Sequence, residues 1–99
     1  MNKSRRKRIE QVCVQLEELK ERIAELETCK EEIEELQTEE QDAYDNLPEG
    51  IQNAERGQAI EEAAQCLGEA VDQIETVISD SETAIDDLLT ALRTAAGEE

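Results

Sequence analysis

The sequence predicts an all-α protein in which two long helices fold back on each other as an antiparallel hairpin, and three observations support this. Apolar residues recur at alternating spacings of 3 and 4 in both halves of the chain, a period that a β-strand cannot produce. The only proline, Pro48, interrupts this pattern near the middle. The chain has no Trp, Phe or His and one Tyr, so its core lacks bulk, and small helical scaffolds often complete such a core by oligomerisation. We therefore expect two hairpins to pair as a four-helix bundle.

The chain divides into a basic start, one hairpin and a short tail. We assign residues 1–8 to a basic arm that need not be ordered, and residues 96–99 to a frayed tail. The hairpin domain between them, residues 9–95, is predicted to contain a helix over 4–45, a connector over 46–53 and a helix over 54–95.

The first helix is predicted to bury a heptad seam that changes phase once. After Leu26 the apolar positions continue only if three residues are inserted relative to the heptad count, which overwinds a coiled coil locally. Cys29 then continues the apolar face and is predicted to be a small core residue. The predicted seam consists of Ile9, Val12, Leu16, Leu19, Ile23, Leu26, Cys29, Ile33 and Leu36.

The second helix combines a broad apolar stripe with a flank of small residues. Asn53 is predicted to be its N-cap. Small apolar residues at every seventh position allow another backbone to approach closely, so this flank is predicted to be the oligomer interface, most simply of a homodimer. The flank consists of Ala63, Ala70, Val77, Ala84 and Ala91. Folding back is predicted to bring Leu36 near Leu67, Ile23 near Ser81 and Val12 near Leu92.

Charge is distributed very unevenly. The net charge is −17, but five of the ten basic residues stand before residue 9, so residues 9–99 carry 5 − 27 = −22. An acidic body disfavours direct binding of nucleic acid and attracts a basic protein surface. The alternative is that glutamate simply provides helix propensity and solubility. The basic start either settles against the acidic end of the second helix or forms a short arm for an anionic surface.

Composition also argues against several classes of chemistry. The three cysteines form no CxxC pair and no histidine is present, so a zinc site is not expected and the thiols are predicted to be reduced. No phosphate-binding glycine loop or activated nucleophile is recognisable. We predict no enzyme activity, no cofactor, no metal, no membrane segment and a cytoplasmic location.

The connector region is longer than a helical hairpin requires. It gathers polar residues that form the predicted ligand or partner site, with Tyr44 as a stacking surface and Arg56 as a contact for a carboxylate or phosphate. The alternative is a purely structural turn, in which Tyr44 packs on neighbouring apolar residues and Arg56 pairs with a nearby acid. The predicted site consists of Tyr44, Asp45, Asn46, Asn53, Glu55 and Arg56.

The run from Tyr44 to Gly57, followed by an Ala- and Glu-rich helix, resembles small helical proteins of bacteriophages and mobile elements. More distantly, the helix, the proline-bearing turn and the Glu55-Arg56 pair are similar to hairpin proteins with which phages sequester the cyclic-nucleotide signals of host immunity. The second resemblance implies oligomers with ligand pockets between helices.

Three functions follow as hypotheses. The first is an acidic assembly protein that self-associates and binds a host protein to inhibit host defence, with DNA mimicry as a variant. The second is an oligomeric sponge for a cyclic dinucleotide or a related signalling nucleotide. The third is a passive structural coiled coil.

Overall fold

The computed structural model of the protein describes residues 1–97, and it is all-α as predicted. Helix α1 spans Lys3–Asp45, the short helix α2 spans Glu49–Gln52 and helix α3 spans Glu55–Ala95. The described residues contain no strand. Two long helices joined by a short one therefore make up nearly the whole described chain.

The basic start of the chain is helical from Lys3 onward, in agreement with the predicted helix over 4–45, so residues 3–8 of the predicted arm belong to α1. Asn2 provides the reason, because its side-chain oxygen accepts the Arg5 amide proton at 2.8 Å and its carbonyl accepts that of Arg6 at 3.1 Å. A capping asparagine satisfies amides that a helix start otherwise leaves unpaired. The cap thus offsets the unfavourable placement of basic residues at the positive end of the helix dipole.

The end of α3 also differs from the predicted frayed tail over residues 96–99. Ala96 is buried, and its amide donates to the Leu92 carbonyl at 3.0 Å. Gly97 ends the helix with a φ of +82°, a conformation that suits glycine. Residues 98 and 99 of the predicted tail lie outside the described residues.

The connector folds into a turn of helix of its own. Pro48 precedes α2, and its carbonyl accepts the amides of Ile51 and Gln52 at 2.8 and 3.0 Å. The prediction that Asn53 caps the second long helix is wrong, because Asn53 terminates α2 and its side-chain amide donates to the Glu49 carbonyl at 3.4 Å. The first helical bond of α3 instead reaches the carbonyl of Ala54, from the Gln58 amide at 3.0 Å.

Gly57 is the position at which α2 and the first turn of α3 meet. It is buried, and an added Cβ would lie 2.4 Å from the Ile51 carbonyl oxygen and 2.5 Å from that of Gln52. Because those atoms belong to backbone, they cannot yield as a side chain would. Glycine is therefore required for this close approach.

The chain forms two compact units, which are described separately. The terminal unit consists of residues 1–26 and the part of α3 from Val77 onward. The connector unit consists of residues 27–76 and contains α2.

In the terminal unit, α1 and α3 run antiparallel and are joined by two ion pairs. The Lys20 ammonium lies 2.5 Å from the Asp86 carboxylate, and Arg93 pairs with Glu17. The bond to Asp86 raises the pKa of Lys20. The most buried side chains between the helices are Cys13, Ile23, Ile78, Leu89 and Ala96.

The predicted seam is wrong at several positions of α1. Val12 and Leu19 are exposed, whereas the next residues, Cys13 and Lys20, face α3. Ile9, Leu16 and Ile23 of the predicted seam stay covered, so the contact face is turned by about half of the 100° that separates successive residues. This rotation brings Lys20 to the carboxylate of Asp86, a contact that the predicted seam does not make.

The connector unit shows the same rotation. Lys30 lies on the face of α1 turned toward α3 and reaches Glu75 at 2.9 Å, whereas Cys29 is exposed. The prediction that Cys29 is a core residue is therefore wrong. Leu36 is likewise exposed and Gln37 takes its place, with its side-chain nitrogen against Gly68. Ala64 is the most buried apolar side chain of this unit.

Candidate binding surfaces

The terminal unit exposes an apolar face that both helices share. Four of its larger side chains are about half exposed: Val12 by 44%, Leu19 by 51%, Val77 by 50% and Leu88 by 45%. Each stands one residue before a side chain that faces the other helix, as Leu88 stands before the buried Leu89. We call this surface the apolar face. It consists of Val12, Leu19, Val77, Ala84, Leu88 and Ala91.

The opposite side of the terminal unit is polar. Glu17, Asp86 and Arg93 each follow a residue of the helix contact by one position. Glu17 pairs there with Arg93, and Asp86 pairs with Lys20. A residue that precedes a contact residue and a residue that follows one point to opposite sides of the line along which the helices touch. The apolar face and the ion pairs therefore lie on different sides of the unit.

The corresponding positions of α3 in the connector unit are less exposed to solvent than those in the terminal unit. Ala63 and Ala70, which share a heptad position with Val77, Ala84 and Ala91, are half-buried. Of the five residues predicted as an oligomer interface, only the three in the terminal unit are therefore exposed.

An open groove of about 310 Å³ lies at the end of the terminal unit. Its lining combines four apolar side chains with two arginines. It is lined by Met1, Arg5, Arg8, Ile9, Val12 and Leu92. The groove brings Val12 and Leu92 together, the pair that the antiparallel prediction placed side by side.

A second depression, of about 480 Å³, lies in the connector unit and is polar. Its wall combines one phenol, four amide side chains and two carboxylates. The lining residues are Tyr44, Gln52, Asn53, Gln58, Glu61, Glu62 and Gln65. We call it the connector pocket. Since it contains carboxylates and no basic residue, it suits hydrogen-bond donors and cations better than phosphate.

Tyr44 is held at the edge of the connector pocket by two neighbours. The Gln52 side-chain amide donates to the Tyr44 carbonyl at 3.1 Å, which ties the end of α1 to α2. Interaction of the phenol with the Glu61 carboxylate raises the pKa of Tyr44, and desolvation adds to the effect.

The structure brings together only two of the six predicted site residues. Tyr44 and Asn53 line the connector pocket, whereas Asp45, Asn46, Glu55 and Arg56 are exposed outside it. Asp45 accepts a hydrogen bond from the Gln41 side chain at 3.1 Å. Arg56 forms no ion pair with any residue that the structure describes.

The pocket residues that the sequence analysis missed have one shared signal. Gln58, Glu61, Glu62 and Gln65 follow the spacing of a single helix face, and all are polar. That pattern alone is typical of a solvated helix surface. The short α2, which brings Gln52 and Asn53 to the same place, makes the surface concave.

Other features are more limited. Cys13 is buried, and Cys29 and Cys66 are exposed as free thiols. Within residues 1–97, no three metal-binding side chains are grouped suitably for an ion. None of the described helices is sufficiently long and apolar to cross a bilayer.

Within residues 1–97, the fold and these surfaces define a helical protein with both apolar and polar candidate contact areas. Comparison of the chain with models of known families, with curated proteins and with solved structures found no match. The resemblance to phage proteins therefore stays a prediction.

Proposed function

We propose that the chain is a non-enzymatic assembly module that self-associates through the apolar face to form a four-helix bundle. The carrying observation is that four large apolar side chains of the terminal unit are about half exposed on one side. A single layer of two helices covers its apolar residues from one direction only. A second hairpin provides the missing layer.

Small residues on α3 suit this contact. Ala84 and Ala91 alternate along the helix with the larger Val77 and Leu88, so a partner helix can approach the alanines and interlock with the larger side chains. Burial of each half-exposed Val or Leu contributes roughly 1 kcal/mol to the free energy of association. Several such side chains together are needed to offset the loss of translational and rotational freedom.

The assembled module is proposed to bind a protein partner with a basic surface. Residues 9–99 carry a net charge of −22, and acidic side chains dominate the exposed helix positions. Long-range attraction to such a surface accelerates encounter and is screened by salt. Inhibition of a nucleic-acid-binding protein by an acidic surface is one form of this activity, and binding that does not weaken with salt contradicts it.

The connector pocket favours this function over sequestration of a signalling nucleotide. The pocket beside Tyr44 contains Glu61 and Glu62, and Arg56 does not line it. Two carboxylates repel a phosphodiester, so titration with a cyclic dinucleotide is expected to release no heat of binding. A passive coiled coil differs from the proposed module because it binds no partner through its acidic surface.

Self-association is tested by two matched variants. Val77 and Val14 are each 50% exposed, but Val77 belongs to the apolar face, whereas Val14 lies on the side of α1 turned away from it. Val77→Lys is expected to be a monomer in sedimentation equilibrium at a concentration at which the wild type and Val14→Lys are dimers. Each lysine has a carboxylate one turn away, so neither helix is weakened. A monomeric wild type at high micromolar concentration contradicts the proposal, and so does a dimeric Val77→Lys.

A further inference from the structure

The two edges of the apolar face carry opposite charge. On α1, the heptad position that borders Val12 and Leu19 on the side away from α3 is occupied by Arg8, Gln15 and Arg22, and contains no acid. On α3, the position that borders Val77 and Ala84 on its outer side is occupied by Asp80 and Asp87. All five of these edge residues are exposed, and none of the four charged ones forms an ion pair within residues 1–97.

We propose, on the basis of the self-association argued above, that the second copy binds with its α3 against α1 of the first, so that Arg22 meets Asp80 and Asp87 of the second copy. The two-fold axis then runs parallel to the helices, and the same contact occurs twice. The occupant of the apolar face is thus a second copy in one particular orientation.

The heights of the residues along the helices fit this contact. Lys20 pairs with Asp86 in the same chain, which puts Arg22 at the height of about residue 84 of α3. A two-fold axis parallel to the helices preserves height, so Arg22 lies across Ala84 of the second copy. Asp80 and Asp87 stand three or four residues to either side, or about 5 Å along the axis. The small side chain of Ala84 leaves room for the guanidinium to reach either carboxylate.

The other two-fold arrangement places like charges together. In that arrangement α1 packs against α1 of the second copy and α3 against its α3, so the edge with Asp80 and Asp87 meets the same edge of the second α3. The part of α3 in the terminal unit contains one basic residue, Arg93, which is already paired with Glu17 on the opposite side. The two acidic edges would then repel with no compensating cation. In the proposed arrangement the α1 helices are diagonal neighbours, so their basic first turns are separated by the width of the bundle.

A double-mutant cycle tests the contact by sedimentation equilibrium at low salt. Asp80→Asn with Asp87→Asn is expected to weaken dimerisation about three- to tenfold, although it lowers the repulsion between two acidic chains. Arg22→Gln is expected to weaken dimerisation similarly. In the Arg22→Gln background, the two asparagine substitutions are expected to change the dissociation constant of the dimer little, because their ion-pair partner is already absent. Matched controls outside the terminal unit, Asp42→Asn with Asp72→Asn and Arg56→Gln, alter charge equally and should not weaken the dimer.

Cross-linking provides a second measurement that does not depend on charge. With Cys29 and Cys66 replaced by serine, a Gln15→Cys chain mixed with an Ala91→Cys chain is expected to form a disulfide-linked pair, because these positions lie at the same height. Gln15→Cys alone is expected to form none. Tighter dimers after removal of Asp80 and Asp87, additive effects in the cycle, or self-linking of Gln15→Cys overturn the orientation while leaving self-association intact. A monomeric wild type instead overturns the proposed function itself.

Discussion

The two units use the same positions of α3 differently. Ala63 and Ala70 are half-buried in the connector unit, whereas Val77, Ala84 and Ala91 are exposed in the terminal unit. The edges differ as well. On α1, Arg8 and Arg22 of the terminal unit each stand one residue before a residue turned toward α3, and in the connector unit Glu32 and Glu39 stand in the same relation to Ile33 and Glu40.

This difference teaches that a periodic apolar pattern is not sufficient to define an interface. The pattern of small residues runs along the whole of α3, but only in the terminal unit is it exposed and bordered by opposite charges. In the connector unit, Ala63 and Ala70 are already half-buried, which leaves less surface for a second copy to contact. The acidic edge of α1 there also repels a second acidic chain. Self-association is therefore expected to depend on the terminal unit.

The largest expected effect distinguishes two adjacent leucines of the terminal unit. Leu89 is 5% exposed and Leu88 is 45% exposed. Leu89→Ala is expected to lower the free energy of unfolding by about 2–4 kcal/mol, because it leaves a cavity between the helices. Leu88→Ala should lower it by about 0.5 kcal/mol in the monomer while weakening the dimer. Urea unfolding followed by circular dichroism, at concentrations below dimerisation, measures the first effect. Equal losses for the two variants contradict the assignment of Leu88 to an intermolecular surface.

An intermediate effect is expected in the connector unit. Gly57→Ala should lower the free energy of unfolding by about 1–3 kcal/mol, since the added Cβ meets the backbone of α2. Gly50→Ala is the matched control, because no heavy atom lies within 4 Å of its added Cβ and alanine favours helix by about 1 kcal/mol. Thermal unfolding measures both. If Gly57→Ala is as stable as Gly50→Ala, then α2 does not pack on α3 as described.

The smallest effect concerns proton binding at Tyr44. Its pKa is raised above the ordinary value of 10.0 by interaction with the Glu61 carboxylate, and desolvation adds to the effect. The interaction with Glu61 therefore contributes stability below pH 10, and this contribution is lost as pH rises through the folded pKa. Tyr44 is the only tyrosine of the chain, so ultraviolet absorbance follows its ionisation directly.

Replacement of the acceptor sharpens this measurement. Glu61→Gln is expected to return the pKa of Tyr44 toward 10.0, whereas Glu62→Gln, which lines the same pocket, should shift it less. A titration midpoint that is the same in the wild type and Glu61→Gln shows that the phenol is not bonded to that carboxylate.

The helical class could be predicted from sequence, but the orientation of the helices about their own axes could not. Val12 begins an apolar heptad series that continues with Leu19, whereas the series of Cys13 continues with Lys20. Apolar periodicity therefore favours the position of Val12, although the structure buries Cys13 instead. The ion pair of Lys20 with Asp86 is a contact between distant parts of the sequence, and it accompanies the rotation.

The candidate sites were predictable to different degrees. The sequence indicates Ala84 and Ala91 because small residues at heptad spacing are unusual on a solvated helix face, and both are exposed in the structure. Their place in an oligomer interface stays a prediction. The sequence does not show which helix Asn53 caps, because asparagine suits both ends of a helix and the single turn of α2 is too short to produce a periodic signal. The connector pocket depends on that same turn, so its residues on α3 read as ordinary surface.

The placement of the three thiols has a practical consequence. Cys29 and Cys66 are exposed and belong to the connector unit, whereas the buried Cys13 belongs to the terminal unit. An alkylating reagent should label the first two rapidly in the native protein, while labelling of Cys13 waits until its helices separate. The rate of Cys13 labelling therefore measures how often the terminal unit opens transiently in the native protein. A bound partner that stabilises this unit would lower that rate.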